Sequence, residues 1–191
     1  MTFHGMSAAE RLRWDARYAT GAAPQAPSRV LTALSRLLPR RGRALDVAGG
    51  AGRHAIWMAR RGLRVTVADI SPEGLALARA RAAAAGVRLR ALTLDLDRAP
   101  IPRGPWDLIV VYHYLQRRVW TQLPRLLARN GTLVIIHPTT RNLERHSIPQ
   151  RRHLLKEGEM SRLVTGLAVV RFDEGWTTEG RHEAVLVARY T

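Results

Sequence analysis

Three acids and one run of small residues carry the first chemical signal in this chain. Asp46 sits just before the turn Ala48-Gly49-Gly50-Ala51-Gly52, Asp69 closes the next apolar run, and Asp95 closes the one after that. A turn of this kind, leaving a strand and entering a helix, lets a ligand approach bare backbone while the helix start offers unpaired N–H groups. No Gly-Lys-Ser/Thr follows, so a phosphate-cradling P-loop is excluded. The spacing Gly50-x-Gly52-x-x-Ala55 does match the dinucleotide fingerprint, with Asp69 placed to hold ribose hydroxyls.

Asp46 shifts the balance away from a dinucleotide. An acid directly before the glycines repels a pyrophosphate and faces an ammonium group instead, and Asp95, or Asp97 two residues on, could accept from an adenine amine. These features point to S-adenosylmethionine. The candidate cofactor set is therefore Asp46, Ala48, Gly49, Gly50, Gly52, Asp69, Ile70, Asp95, Leu96 and Tyr112, with Trp14 and Tyr18 from the N-terminal segment. Bland roles compete: Asp69 as a helix cap, Asp46 as an organiser of loop amides, Trp14 and Tyr18 as core packing.

A second group follows the fourth apolar run, Val111-Tyr112-His113-Tyr114-Leu115-Gln116-Arg117-Arg118. His113 is the candidate general base, since an unperturbed imidazole titrates near neutrality. A soft anionic acceptor would not need it, and a histidine lining the pocket or bonding a carbonyl is the plainer role. Arg117, His137, Arg141 and Arg145 stand after the fourth and fifth strands and favour an anionic acceptor, with Arg117, His137 and Arg141 taken as the substrate-binding candidates. No cluster of acids is placed there to hold a hard cation, and the seven His fall in no metal spacing, so no metal is expected. The Asn/Asp-Pro-Pro-Tyr signature of enzymes that methylate exocyclic or amide nitrogens is missing.

The elements that must position these residues alternate short apolar runs with helical patterns, the mark of a parallel α/β sheet. Strands are predicted at 44–47, 64–68, 89–94, 108–112 and 132–137. Helices are predicted from the glycine turn through Arg61, from Ser71-Pro72 to Gly86, and after the fourth strand through Leu127, closed by Asn130-Gly131. Ser28 caps a helix carrying Val30, Leu31, Leu34 and Leu38 and stopped by Pro39. The runs at 167–172 and 184–190 leave no room for a crossover helix, so that pair is antiparallel.

With 191 residues, 46% of them hydrophobic, the chain suits one domain over 1–191, residues 1–27 forming a segment that could act as a lid. Cysteine is absent, which removes thiolate nucleophiles, disulfides and cysteine metal sites. No apolar run approaches a membrane span and 1–13 lacks a signal-peptide stretch, so a cytoplasmic protein with no membrane partner is expected, as a monomer or homodimer. The net charge of +16 would suggest nucleic acid, yet Lys156 is the sole lysine and the remaining basic residues are all arginine. That bias reads better as coding preference with solvated arginines than as a polyanion site.

Leu45 to Gly52, Asp69, Asp95 and the strand pattern resemble a class I S-adenosylmethionine-dependent methyltransferase. The resemblance implies a Rossmann-like, doubly wound, mostly parallel sheet in the order 3-2-1-4-5-7-6 with strand 7 antiparallel, and a loop after strand 4 that faces the methyl group. Trp14-Asp15-x-Arg17-Tyr18, Gly52-Arg53-His54, Gly158-Glu159-Met160 and Phe172-Asp173-Glu174-Gly175 are similar to the small bacterial tellurite-resistance-type methyltransferases, over nearly the whole chain. Ala48 stands where that family usually has its first glycine, and Gly49 where it often has cysteine. What the resemblance implies is methyl transfer to a small, soft or anionic nucleophile (sulfur, selenium or tellurium). The alternatives are an RNA methyltransferase using the basic surface and a non-catalytic S-adenosylmethionine-binding regulator.

Overall fold

The computed structural model describes residues 4–21 and 23–191. Seven strands form one sheet in the order β3-β2-β1-β4-β5-β7-β6. They are β1 (Arg43–Val47), β2 (Arg64–Asp69), β3 (Leu89–Thr93), β4 (Trp106–Tyr112), β5 (Leu127–Pro138), β6 (Ala168–Trp176) and β7 (His182–Arg189). This is the Rossmann-like methyltransferase order. The chain divides into two compact units, one holding residues up to Pro27 with Arg40–Arg103, the other Ser28–Pro39 with Gly104–Thr191.

In the first unit β1, β2 and β3 pair in parallel, Asp46 lying opposite Val67 and Asp69 opposite Thr93. Buried β-branched and small residues (Val47, Val65, Val67, Ala68) fill the strands, as a sheet covered on both faces requires. Helices α1 (His4–Ala19), α3 (Arg53–Arg60) and α4 (Pro72–Ala84) complete this unit, α2 (Arg29–Ala33) belonging to the other. Ser71 caps α4, its Oγ accepting the Gly74 amide at 3.0 Å with Pro72 in the first turn, as expected of a Ser-Pro start. Leu75, Ala78 and Ala82 form the buried stripe of α4.

In the second unit β4 and β5 are parallel, while β7 pairs antiparallel with both β5 and β6. Ser28 caps α2 (Arg29–Ala33), and a 3-10 turn at Ser35–Leu37 continues it. The long helix expected after the fourth strand does not form. There is one turn, α5 (Arg117–Trp120), then a 3-10 turn at Leu123–Leu126 with Pro124 inside it. Proline denies the ladder a donor there, and β5 starts at Leu127, with Leu127 pairing Trp106. Asn130 and Gly131 therefore lie inside β5, bonded to Tyr190, and close no helix. A last helix, α6 (Glu159–Leu163), precedes β6. That edge strand leaves Val169, Val170 and Phe172 exposed. Among the described residues, no helix is long and apolar enough to cross a membrane.

Candidate active site

The glycine turn and its acids lie in the first unit. Asp46 is buried, and neither Oδ1 nor Oδ2 has a hydrogen-bond partner. Burial, followed by the nearby negative charge of Asp69, pushes its carboxyl up to about 7; the Ala55 amide pulls it back without reaching hydrogen-bond geometry. A Cβ on Gly49 would meet Asp46 Cγ and Oδ2 at 2.6 Å and Val67 Cγ2 at 2.7 Å. A side chain at 49 has no room, which accounts for glycine there.

Asp69 organises the turn. Its Oδ2 accepts the Gly50 amide at 2.8 Å and its Oδ1 the Ser71 amide at 2.9 Å, joining the end of β2 to both the glycine turn and the start of α4. Burial raises its pKa, partly offset by these amides. With the Ile70 amide also acting on it, part of the carboxylate's roughly four acceptor positions is left uncommitted. Ala48 adopts φ +54° and Gly52 φ +76°. The left-handed region costs an alanine about 1–2 kcal/mol and glycine nothing, so the turn carries strain at 48.

Helix α1 covers this turn. Asp15 accepts the Ser71 hydroxyl at 2.5 Å, which fixes α1 on the N-terminus of α4. Tyr18 then lies against two glycines: a Cβ on Gly50 would stand 1.9 Å from its hydroxyl, and one on Gly74 2.7 Å from its Cε2. Trp14 packs beside Tyr18 at a ring distance of 6.0 Å. Burial raises the Tyr18 pKa, so the hydroxyl stays protonated. Asp95 is partly exposed, accepts the Asp97 amide at 3.0 Å and pairs with Arg98 at 3.6 Å; Leu96 beside it is buried and Ile70 half-buried.

The second unit holds the other candidates. His113 directly follows β4 with φ +56°, its amide held by the Ile136 carbonyl at 2.9 Å. A non-glycine residue in that region costs about 1–3 kcal/mol and persists where its surroundings impose it. Its ring stacks on Tyr112 at 3.9 Å, and its Nε2 lies 2.5 Å from Glu183 Oε1. Tyr112 donates to Glu179 Oε2 at 3.3 Å, whose Oε1 accepts from Ser28 Oγ at 3.0 Å.

The three substrate-binding candidates lie apart in role. His137 is buried, its Nε2 donating to the His153 carbonyl at 2.9 Å and its ring edge against Trp120; burial lowers its pKa to about 3, leaving it neutral. Arg117 forms a two-pronged pair with Glu159 at 2.5 and 3.1 Å. Arg141 is exposed and paired with Glu144 at 2.8 Å. His137 approaches His113 edge-on, at a ring distance of 6.2 Å. Sequence reading missed Glu183, whose signal was an acid beside the apolar run 184–188, and Asp15, read only as part of a motif. Among the described residues no cluster of His, Cys, Asp and Glu could hold a metal.

Residues 44–131, a little under half of the chain, match a methyltransferase domain family. The chain is similar in structure to the protein described as "Conversion of a Disulfide Bond into a Thioacetal Group during Echinomycin Biosynthesis", at TM-score 0.73 and 21% identity over 95% of this chain and 92% of that one. It is also similar to a SAM-dependent methyltransferase from Aquifex aeolicus, at TM-score 0.69 and 18% identity over 93% and 98%. A TehB-like SAM-dependent methyltransferase from Corynebacterium glutamicum gives TM-score 0.64 and 19% identity over 97% and 98%. No curated protein sequence matches. The matched stretch contains the glycine turn with Asp46, Asp69 and Asp95, and the chain as a whole shares the fold of these proteins.

Proposed function

We propose that the protein is a class I S-adenosylmethionine-dependent methyltransferase that methylates a small molecule at a soft or anionic nucleophilic atom, of which sulfur, selenium and tellurium are the candidates. The observation that carries the cofactor side is Asp46: a buried carboxylate with two unpartnered oxygens beneath a turn of bare backbone fits a cationic amino group beside a carboxylate that needs amides. Asp69 would receive the ribose hydroxyls on its remaining acceptor positions. Asp95 and Leu96 would meet the adenine, and α1, through Trp14 and Tyr18, would cover the bound cofactor.

When bound, S-adenosylmethionine supplies a methyl group already activated by the sulfonium, so the protein's task is alignment and exclusion of water. His113, rigidly held, serves the acceptor. The acceptor class is supported by sequence likeness to the tellurite-resistance type and by two neighbours, one TehB-like and one whose description concerns sulfur chemistry.

Purified protein incubated with S-adenosylmethionine and, separately, with small thiols, selenite, tellurite and bulk tRNA tests this reading by mass spectrometry of the products. Methylation within the chalcogen panel is expected. Methylation of tRNA alone, surviving high salt, would instead assign the basic surface a substrate.

A further inference from the structure

The geometry points to Glu183 as the positioning residue of His113, and to an acceptor that arrives protonated, a thiol in preference to a preformed anion. This deepens the acceptor reading above and rests on it.

Glu183 is fully buried in β7, opposite Pro138 of β5 and Gly175 of β6. Among the described residues its sole ion-pair partner is His113, at 2.5 Å, and its Oε2 is buried without a hydrogen bond. A static hydrogen bond to an imidazole could be made by glutamine at far smaller desolvation cost. A carboxylate is worth its burial where the partner becomes a cation.

The pairing also decides which ring nitrogen is basic. With Glu183 Oε1 accepting from Nε2–H, the lone pair is on Nδ1, and the neutral ring is locked in that tautomer. The strained backbone at 113 and the stack on Tyr112 hold the ring plane. In the reaction the thiol's S–H bond breaks and its proton passes to Nδ1, while the sulfur pair freed by that transfer forms the new S–CH3 bond as the donor's methyl–sulfonium bond breaks, its electron pair staying on the sulfur of the departing S-adenosylhomocysteine. The charge on the imidazolium is met by Glu183 until the proton passes to water. An acceptor already ionised gives His113 nothing to remove.

Two measurements test this. In protein labelled with 15N-histidine, the ring-nitrogen shifts of neutral His113 should show the proton on Nε2; a proton on Nδ1 overturns the pairing regardless of turnover. In the second, methyl transfer to 2-mercaptoethanol is compared with transfer to 2-nitro-5-thiobenzoate, a thiol ionised at neutral pH. Glu183→Gln should lower kcat for 2-mercaptoethanol roughly 100-fold with KM little changed, and for the ionised thiol by less than about threefold. Equal losses for both, with S-adenosylhomocysteine affinity intact, contradict the positioning role. Wild-type protein that binds S-adenosylhomocysteine and methylates selenite or tellurite but neither thiol overturns the thiol assignment and leaves the broader function standing.

Discussion

Asp46 and Gly49 compete for one volume: a single methyl group on Gly49 would lie 2.6 Å from the Asp46 carboxylate. The acid is thus held under the turn, out of water and without a partner. Its carboxyl, at about 7, lies above the ordinary 3.8, so the folded chain holds a proton that the unfolded chain has released over that interval. The stability it contributes is full below the ordinary value and lost as pH rises through about 7. The ligand-free protein should therefore melt at lower temperature as pH goes from 5 to 8, and Asp46→Asn should flatten that part of the curve. Binding of S-adenosylhomocysteine near pH 7 should release roughly half a proton, read by calorimetry in buffers of different ionisation heat. No proton release would separate Asp46 from the ligand's ammonium group.

Ala48 gives a prediction of opposite sign. Replacing it with glycine removes the left-handed penalty and adds the extra chain entropy of glycine, for a net gain of about 0.5–1 kcal/mol. The urea midpoint should rise with an unchanged slope. A lower midpoint would mean that the methyl of Ala48 packs better than its backbone is strained.

For α1, Asp15→Ala should loosen the helix from Ser71. Loss of a buried-side hydrogen bond to the cap costs about 1–2 kcal/mol, and trypsin should cut at Arg13 and Arg17 sooner than in wild type. Affinity for S-adenosylhomocysteine should fall with it if Tyr18 and Trp14 cover the cofactor. Faster cleavage with unchanged affinity would leave α1 as packing alone.

His137 predicts the acid behaviour of the second unit. Its folded-state pKa of about 3 lies below the ordinary 6.5, so its contribution to stability is full above 6.5 and lost as pH falls toward 3. His137→Gln, which can still donate to the His153 carbonyl, should reduce the slope of stability against pH in this window by up to about 1.4 kcal/mol per unit. An unchanged slope would assign the acid sensitivity to other groups.

What the sequence made legible were the local signals. The antiparallel end, the Ser28 and Ser71 caps and the glycine turn follow from runs and spacings within a few residues, whereas the strand order comes from the family resemblance. The apolar spacing between Leu115 and Leu127 mimicked a helix because periodicity does not register the price of Pro124. Partnerships across the chain were illegible in principle. The His113–Glu183 pair joins residues 70 apart in sequence, and Arg117–Glu159 joins residues 42 apart. Charge alone marked Arg117 and Arg141 as free for a substrate, and only the fold shows which carboxylate each one meets.

The central claim, that the turn between β1 and α3 with its flanking acids holds S-adenosylmethionine, is tested most directly by calorimetry with S-adenosylhomocysteine on wild-type protein and Asp69→Ala. The account predicts binding in wild type, no comparable response to NAD, and a loss of about 1.5–3 kcal/mol in the variant, since charged hydrogen bonds to the ribose and the tie to the Gly50 amide go together. Binding of NAD with no response to S-adenosylhomocysteine, or equal affinity in both proteins, would contradict it.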